Sequence, residues 1–476
     1  MIPLSLAEIT GIVGGRPHDV PDLEQQVTGP VVIDSREAAP GTLFAAFAGE
    51  RADGHEFAGR AVEAGAVAVL AARPVGVPAI VVDDVERALG ALARAVVERL
   101  GATVVALTGS SGKTSTKDLI AQVLERHAPT VWTPGSLNNE IGLPLTALRA
   151  DESTRHLVLE MGARGVGHIR YLTGLTPPRI GLVLNVGTAH IGEFGGREQI
   201  ALAKGELVED LPAAAEGGVA VLNADDPFVR AMRDRTKART VLFGEAEDAD
   251  VRAENVRLTT EGQPAFTLHT PTGCSDVTLR LYGEHHVSNA LAAAAVAHEL
   301  GMSVSEIAVA LSEAGQLSRW RMEVTERADG VTVVNDAYNA NPDSMRAALR
   351  ALVAMGRANQ ARGARTWAVL GQMAELGEES LAEHDAVGRL AVRLNVSKLV
   401  AVGGQEAAWL DMGAKNEGSW GEESVHVSDV RAAVDLLRRE LRPGDVVLVK
   451  ASRSVGLERV ALELLDGEGE VAGRWA

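Results

Sequence analysis

Leu107-Thr108-Gly109-Ser110-Ser111-Gly112-Lys113-Thr114-Ser115 joins two segments of opposite character. Thr103–Leu107 is a short apolar run that reads as a buried strand, and from Thr116 to Ala128 apolar residues recur at helical spacing. A glycine-rich turn between a strand and a helix N-terminus can wrap backbone N–H groups around phosphate oxygens, with the helix dipole favouring the anion. Thr108 to Ser115 therefore form a candidate nucleotide-binding loop, with Lys113 placed for the outer phosphates and the Thr114 hydroxyl for Mg²⁺. The general pattern carries a further glycine six residues before the lysine, where this chain has Leu107, so the loop is a compact Thr-Gly-x-x-Gly-Lys-Thr. The alternative is a glycine turn with a stray lysine. Strand before and helix after favour a protein that handles a nucleoside triphosphate.

Working outward, 476 residues at about 150 per domain imply roughly three domains. Aromatic residues make up only 3%, so the cores should be aliphatic. A formal net charge of −18 argues against a nucleic acid or an anionic membrane as partner, because both would repel this surface at long range. Anionic substrates must then be held by local basic groups and backbone amides. The single cysteine, Cys274, excludes an intramolecular disulfide and a cysteine metal cage, and is expected as a small apolar residue of a strand. Met1-Ile-Pro-Leu-Ser-Leu-Ala-Glu lacks the basic lead and apolar core of a signal peptide, and no apolar run approaches spanning length, so a cytoplasmic protein is expected.

Residues 1–84 alternate short strands (Val31–Ile33, Leu43–Phe47, Ala66–Leu70, Ala79–Val82) with turns, as in a small mixed α/β domain. Residues 85–316 open with an amphipathic helix, Val85–Gly101, and then repeat strand, loop and helix. The strand candidates are Thr103–Leu107, Leu157–Glu160, Ile180–Asn185, Val219–Asn223 and Thr240–Phe243. Continuous apolar strands between helices imply a parallel sheet covered on both faces. From Asp250 to Tyr282 the alternation of Thr, Val and charge predicts an antiparallel patch, followed by a helix Val287–Leu300. Residues 317–476 read as a Rossmann-like doubly wound domain with strands Val331–Asn335, Trp367–Gly371, Lys398–Gly403 and Val446–Lys450. Gly413–Gly421 is expected to be a surface loop.

Four further segments could carry chemistry. Leu157–Glu160 delivers a carboxylate to a strand tip, where open α/β sheets collect ligands; Glu160 reads either as a solvated end or as an oxygen ligand of a divalent metal. The next strand leads to His190 between glycines, either a hydrogen-bonding loop residue or part of the same site. Lys204, in Ala203-Lys204-Gly205-Glu206, looks by composition like an ordinary helix-surface lysine. Asn335-Asp336-Ala337-Tyr338-Asn339-Ala340-Asn341-Pro342 leaves a strand as a polar loop, and reads equally as a ligand loop or as an Asx-rich turn closed by proline.

Taken together these segments resemble the ATP-dependent muramyl-peptide ligases, and the matches run from Asp34 to Glu458. Thr108–Thr114 resembles that family's short phosphate loop. Glu160-Met161-Gly162 and Asn185-Val186-Gly187-Thr188-Ala189-His190 are similar to its metal-binding strand ends, and Ala203–Glu206 to the segment bearing a carbamylated lysine. His286–Ala290 resembles a nucleotide-contacting segment and Arg321-Met322-Glu323 the arginine turn that opens the last domain. The resemblance implies ATP contacts at Asn289, Arg321 and Asp336 beside the loop. It also implies two Mg²⁺ sites using Thr114, Glu160, His190 and Lys204 as its carbamate, with Lys113, Lys204 and His190 as catalytic groups.

Asp34-Ser35-Arg36 and Asp53-Gly54-His55-Glu56-Phe57 look like the family's UDP-sugar region, implying substrate contacts at Ser35 and Arg36; as plain residues they are also turn and cap formers. Asn138-Asn139-Glu140-Ile141-Gly142-Leu143-Pro144, Asn335–Pro342 and Leu370–Gly377 are most like the branch that adds D-alanyl-D-alanine to UDP-N-acetylmuramoyl tripeptide. That branch implies further substrate contacts at Asn138, Asn139, Tyr338, Asn339, Asn341 and Ser452, in an enzyme expected to be monomeric. Gln372 stands where an aspartate is common and Ala451 where a glycine is common. The implied chemistry is activation of the tripeptide carboxylate as an acyl phosphate, then attack by the dipeptide amine, with Lys113 and Mg²⁺ offsetting phosphoryl charge. Rival readings are a sibling ligase, such as a folate glutamate-adding enzyme, and a non-ligase P-loop ATPase. A guanine-binding Asn-Lys-x-Asp segment does not occur.

Overall fold

In the computed structural model the described residues are 1–49, 52–188, 191–358, 363–419 and 421–466. Among them three main sheets form, in the order the sequence predicts. The first has strand order Arg16–His18, Ala79–Val81, Ala68–Ala71, Leu43–Ala45, Val31–Val32, parallel except for its Arg16–His18 edge. One face packs Phe44, Val69 and Ala79 in a small core of its own. The other shares a core with the next region through the helix Val85–Leu100, which buries Leu89, Leu92 and Val96 beside Leu70, Ile80, Leu157 and Leu159. That helix starts on an Asp84 side-chain cap and stops at Gly101 in the left-handed conformation.

The central sheet places Thr103–Thr108 between His156–Glu160 and Ile180–Val183, so the phosphate loop leaves from an interior strand. Thr130–Trp132 extends it beyond His156–Glu160 on one side, and Val219–Asn223 and Arg239–Gly244 extend it on the other. The expected antiparallel patch is Val251–Leu258, Pro264–Thr270 and Gly273–Thr278, and it continues this same sheet. The alanine-rich helix His286–Glu299 is buried between this sheet and the phosphate-loop helix Lys113–Glu125. Small side chains let two helix axes approach closely there.

The third sheet runs Glu323–Glu326, Thr332–Asn335, Val446–Lys450, Thr366–Leu370, Lys398–Val402, Ser424–Val427, antiparallel only at its first pair. Between the second and third regions the chain is tied down rather than free. The Gln122 carboxamide exchanges two hydrogen bonds with Gly315 (2.8 and 2.9 Å), and Asp118 Oδ2 accepts from the Ser318 N–H at 3.2 Å.

Two expectations, on Gly413–Gly421 and Lys204, are corrected. Most of Gly413–Gly421 is not a loop, because Gln405–Glu417 is helical. Gly413 packs against the Asp385 carbonyl of the helix Ser380–Arg393, where a Cβ would collide, so the glycine marks a helix contact instead of a turn. Cys274 lies on a strand as expected, the outermost of the central sheet, where it is exposed. Lys204 is buried, not at the helix surface.

Candidate active site

Gly112 is the hinge of the phosphate loop. Its φ of +78° suits glycine, and a Cβ there would fall 2.8 Å from Asn289 Oδ1. The helix therefore begins at Lys113, three residues earlier than its apolar periodicity shows. Asn185, at the end of the neighbouring strand, ties the crest of the loop. Its Oδ1 accepts from the Ser110 and Ser111 N–H groups at 3.0 and 2.9 Å, and its Nδ2 donates to the Ser111 carbonyl at 3.1 Å. Lys113 Nζ folds back on the Gly109 carbonyl at 2.7 Å. Burial lowers the pKa of Lys113, Glu160 opposes that shift and Arg321 adds to it. Thr108 lies beneath the loop, its hydroxyl donating to the Met161 carbonyl at 2.9 Å.

Glu160 is fully buried at its strand tip. Its Oε2 accepts from Thr114 Oγ1 at 2.9 Å, and its Oε1 accepts from Asn138 Nδ2 at 2.7 Å and Ser136 Oγ at 3.4 Å. Asn139 lines the same cleft while its Oδ1 takes the Gly142 N–H at 2.9 Å. The segment carrying Ser136 and Asn138 is held by Lys117, whose Nζ donates to the Thr133 and Gly135 carbonyls (2.8 and 3.2 Å) and pairs with Asp118 at 2.6 Å. Lys117 was missed in the sequence. Its signal is position: one turn after Lys113, on a stretch that is otherwise buried.

Lys204 lines the same cleft from the helix Arg197–Glu209, with 4% of the residue exposed. Among the described residues it makes no hydrogen bond or ion pair. Desolvation, and then Lys113, hold its ammonium well below the ordinary lysine range. His190 lies outside the described residues. Among the described residues no group of three or more His, Cys, Asp or Glu side chains gathers as a metal cage. The donors present around Glu160 are hydroxyl and carboxylate oxygens, which fit Mg²⁺, a cation usually held by one or two carboxylates together with substrate phosphate.

The facing wall comes from the third sheet. Arg321 spans the cleft: its Nη2 donates to Thr114 Oγ1 at 3.2 Å and its guanidinium stacks 4.1 Å from the Tyr338 ring centroid. Asp336 Oδ1 accepts from the Met322 N–H at 3.0 Å, and its Oδ2 pairs with Lys450 Nζ at 2.6 Å. Asn339 lines the cleft with Oδ1 on the Ala340 N–H at 2.9 Å. Asn341 caps the helix Pro342–Ala358, its Oδ1 taking the Ser344 N–H at 2.9 Å, so the Asx-turn reading holds for that residue. His285 completes the floor, its imidazole lowered to about 4 by burial against an opposing pull from Asp336. A further crossing contact joins Asp343 Oδ2 to the Thr188 N–H at 3.2 Å.

This cleft, about 460 Å³, brings together Ser110 to Ser115, Asn138, Asn139, Glu160, Lys204, Asn289, Arg321, Asp336, Tyr338, Asn339 and Asn341. Thr108, Gly109 and Ser452 are not among its lining residues; Ser452 Oγ accepts from the Ala374 N–H (2.9 Å) and donates to the Ala340 carbonyl (3.3 Å). Gln372 turns to Glu406 at 3.1 Å, and Ala451 is buried beside Gly371; neither lines the cleft. Ser35 and Arg36 stand apart, on a short 3-10 turn that follows the strand Val31–Val32 of the first sheet. Ser35 Oγ accepts from Arg60 Nε at 3.0 Å, while the exposed Arg36 guanidinium grips Asp34 and holds that carboxyl down to about 2. In Asp53–Phe57, His55 is a turn brace between Asp53 Oδ1 (2.6 Å) and the Ala72 N–H (3.0 Å).

The chain that brings together a glycine loop, a buried carboxylate beside its threonine and an arginine from another sheet matches known proteins along its length. Residues 30–97 match the Mur ligase family catalytic domain, 107–297 the Mur ligase middle domain and 320–453 the Mur ligase glutamate ligase domain. The chain is 51% identical to a UDP-N-acetylmuramoyl-tripeptide--D-alanyl-D-alanine ligase of Mycobacterium leprae, over 99% of this chain and 100% of that one.

The chain belongs to the Mur ligase family.

Among solved Mur ligases, MurF from Acinetobacter baumannii superposes with a TM-score of 0.86 at 33% identity, covering 97% of this chain and 99% of that one. MurF ligase from Thermotoga maritima in complex with ADP superposes at 0.78 with 32% identity, covering 92% and 97%. The three-region α/β architecture is thus that of the Mur ligases.

Proposed function

We propose that this Mur ligase joins D-alanyl-D-alanine to the terminal carboxylate of UDP-N-acetylmuramoyl tripeptide at the expense of ATP, in peptidoglycan precursor synthesis. The observation that carries this reading is Arg321 bonded to Thr114 across the cleft, in a chain 51% identical over its length to a ligase of that name. Phosphoryl donor and incoming amine are then held on opposite walls of one site.

A carboxylate does not acylate an amine at neutral pH, because oxide is too poor a leaving group. The tripeptide carboxylate oxygen attacks the γ-phosphorus and ADP leaves. The dipeptide amine then attacks the acyl carbon, loses a proton, and phosphate departs with that carboxylate oxygen. Lys113 and Arg321 set positive charge against the transferring group. Thr114, Glu160 and carbamylated Lys204 would hold Mg²⁺, which when bound supplies Lewis-acid polarisation of phosphoryl oxygens. The low proton affinity of Lys204 favours the neutral amine that CO₂ requires. Tyr338 and Asn339 are assigned to the dipeptide side, Asn138 and Asn139 to the tripeptide side, and Ser35 and Arg36 to the UDP moiety.

The three sheets are assigned to domains 1–84, 85–316 and 317–476. Described residues of one chain line the cleft, which suits a monomer. No helix among the described residues is long and apolar enough to cross a membrane, in keeping with a cytoplasmic site of action. The test is product mass with purified protein, ATP, Mg²⁺, UDP-tripeptide and competing amines. A UDP-pentapeptide formed from the dipeptide is expected. Gain of a single amino acid, or ATP hydrolysis without peptide product, would overturn the reading.

A further inference from the structure

Arg321 is aimed by an unusual piece of backbone. Trp320 and Met322, on either side of it, both have left-handed φ angles, +59° and +54°. Bulky residues avoid that region, so such a turn persists only where surrounding contacts over-determine it. Three hydrogen bonds do so here. Trp320 N–H donates to Glu323 Oε2 (3.1 Å), Tyr338 N–H donates to the Trp320 carbonyl (3.2 Å), and Met322 N–H donates to Asp336 Oδ1 (3.0 Å). Within the guanidinium, Nη2 reaches Thr114 Oγ1 and the plane rests on Tyr338, but buried Nε has no hydrogen-bond partner, so the backbone turn carries much of the aiming.

Asp336 is in turn fixed by Lys450, the last residue of the strand Val446–Lys450 and 2% exposed. Lys450 Nζ meets Asp336 Oδ2 at 2.6 Å and the Asn339 carbonyl at 2.9 Å. A buried carboxylate that loses its cation either takes up a proton or turns to new partners. Protonation weakens the acceptor that holds Met322 N–H, and turning away removes it.

We infer that Lys450 is a positioning residue for the reaction: through Asp336 it locks the Trp320–Met322 turn in the conformation that carries Arg321 onto the phosphate loop. The inference rests on the ligase reading and adds to it a residue that does its work at one remove from the phosphates.

A double-mutant cycle on the full chain tests it, using ADP and pentapeptide formation as readouts. Lys450→Met should lower kcat about a hundredfold, as expected when a reacting group is displaced by about 1 Å, with KM for the UDP-tripeptide changed less than about twofold. In an Arg321→Ala background the same substitution should change kcat less than about threefold, because the group it acts through is already gone. Multiplying losses in the double variant, or a KM effect on the UDP-tripeptide matching the kcat effect, would overturn the relay and make Lys450 a direct substrate contact. If Lys450→Met does not accumulate folded, Lys450→Gln keeps a neutral donor for Asp336 and the same cycle decides. A parent protein that makes no pentapeptide would defeat the ligase reading instead; independent losses in a working ligase defeat only the relay.

Discussion

On the central-sheet wall of the cleft, Thr114, Glu160 and Lys204 stand on or at the ends of regular strands and helices, whereas Arg321, Asp336, Tyr338 and Asn339 on the facing wall sit in loops. On the first wall each residue takes its place from a buried strand or helix. The second keeps its shape through side-chain bonds, Asp336 to Lys450 above all. On the proposed function the first wall holds the phosphates and the second brings Arg321 and the amine partner to them. Substitutions on the two walls should therefore fail differently.

The largest effect is expected at Lys113. Lys113→Ala should lower ligation at least about a thousandfold, as loss of a main electrostatic stabiliser does, while circular dichroism and melting stay those of the parent. A folded variant with near-parental product formation would break the distinction between the walls. Next comes Lys204→Ala, with an expected loss of about several hundredfold on the same grounds. Short carboxylates such as formate should restore part of the activity by standing in for the carbamate. Full activity without additive would remove Lys204 from the site.

How far the two walls can be read from sequence follows the same division. The phosphate loop was legible because strand, glycine turn and helix are neighbours along the chain, and Glu160 because a strand tip is a local feature. Lys204 was not legible by pattern, since its burial comes from packing of the helix Arg197–Glu209 and not from its own neighbours. Lys117 and Lys450 escaped for the same reason: the groups they brace, the Thr133 carbonyl and the Asp336 carboxylate, lie 16 and 114 residues away. Gly413 misled, because a glycine that admits a neighbouring helix looks in sequence like one that makes a turn. The Asx-rich loop held both its readings at once, Asn341 capping a helix while Asp336 anchors the arginine turn.

A smaller effect is expected away from both walls. Arg36→Ala should raise KM for the UDP-tripeptide about tenfold, the worth of one charge-assisted contact, and leave KM for ATP unchanged. A selective rise in the ATP value would move the sugar nucleotide elsewhere. Smallest, and opposite in sign, is a gain in stability. Lys204 in the folded chain binds its proton less readily than the ordinary lysine at 10.5, so between its lowered value and 10.5 the unfolded chain holds more protons. Folding stability then rises with pH through that window, and below 10.5 the cost of desolvating the Lys204 ammonium weighs against folding. In CO₂-free buffer Lys204→Met should be more stable than the parent by about 1 kcal/mol, a few degrees in melting temperature, with the advantage shrinking as pH rises. Equal or lower stability at pH 7 would show that Lys204 is already paired in the folded protein.

The central claim, that one cleft couples phosphoryl transfer to carboxylate activation, is tested most directly by oxygen labelling. UDP-tripeptide carrying ¹⁸O in its terminal carboxylate is turned over with ATP, Mg²⁺ and D-alanyl-D-alanine, and the released phosphate is examined by mass spectrometry. One ¹⁸O per phosphate is expected, because the acyl-phosphate bridge oxygen leaves with phosphorus. Unlabelled phosphate accompanying normal peptide product would contradict the account.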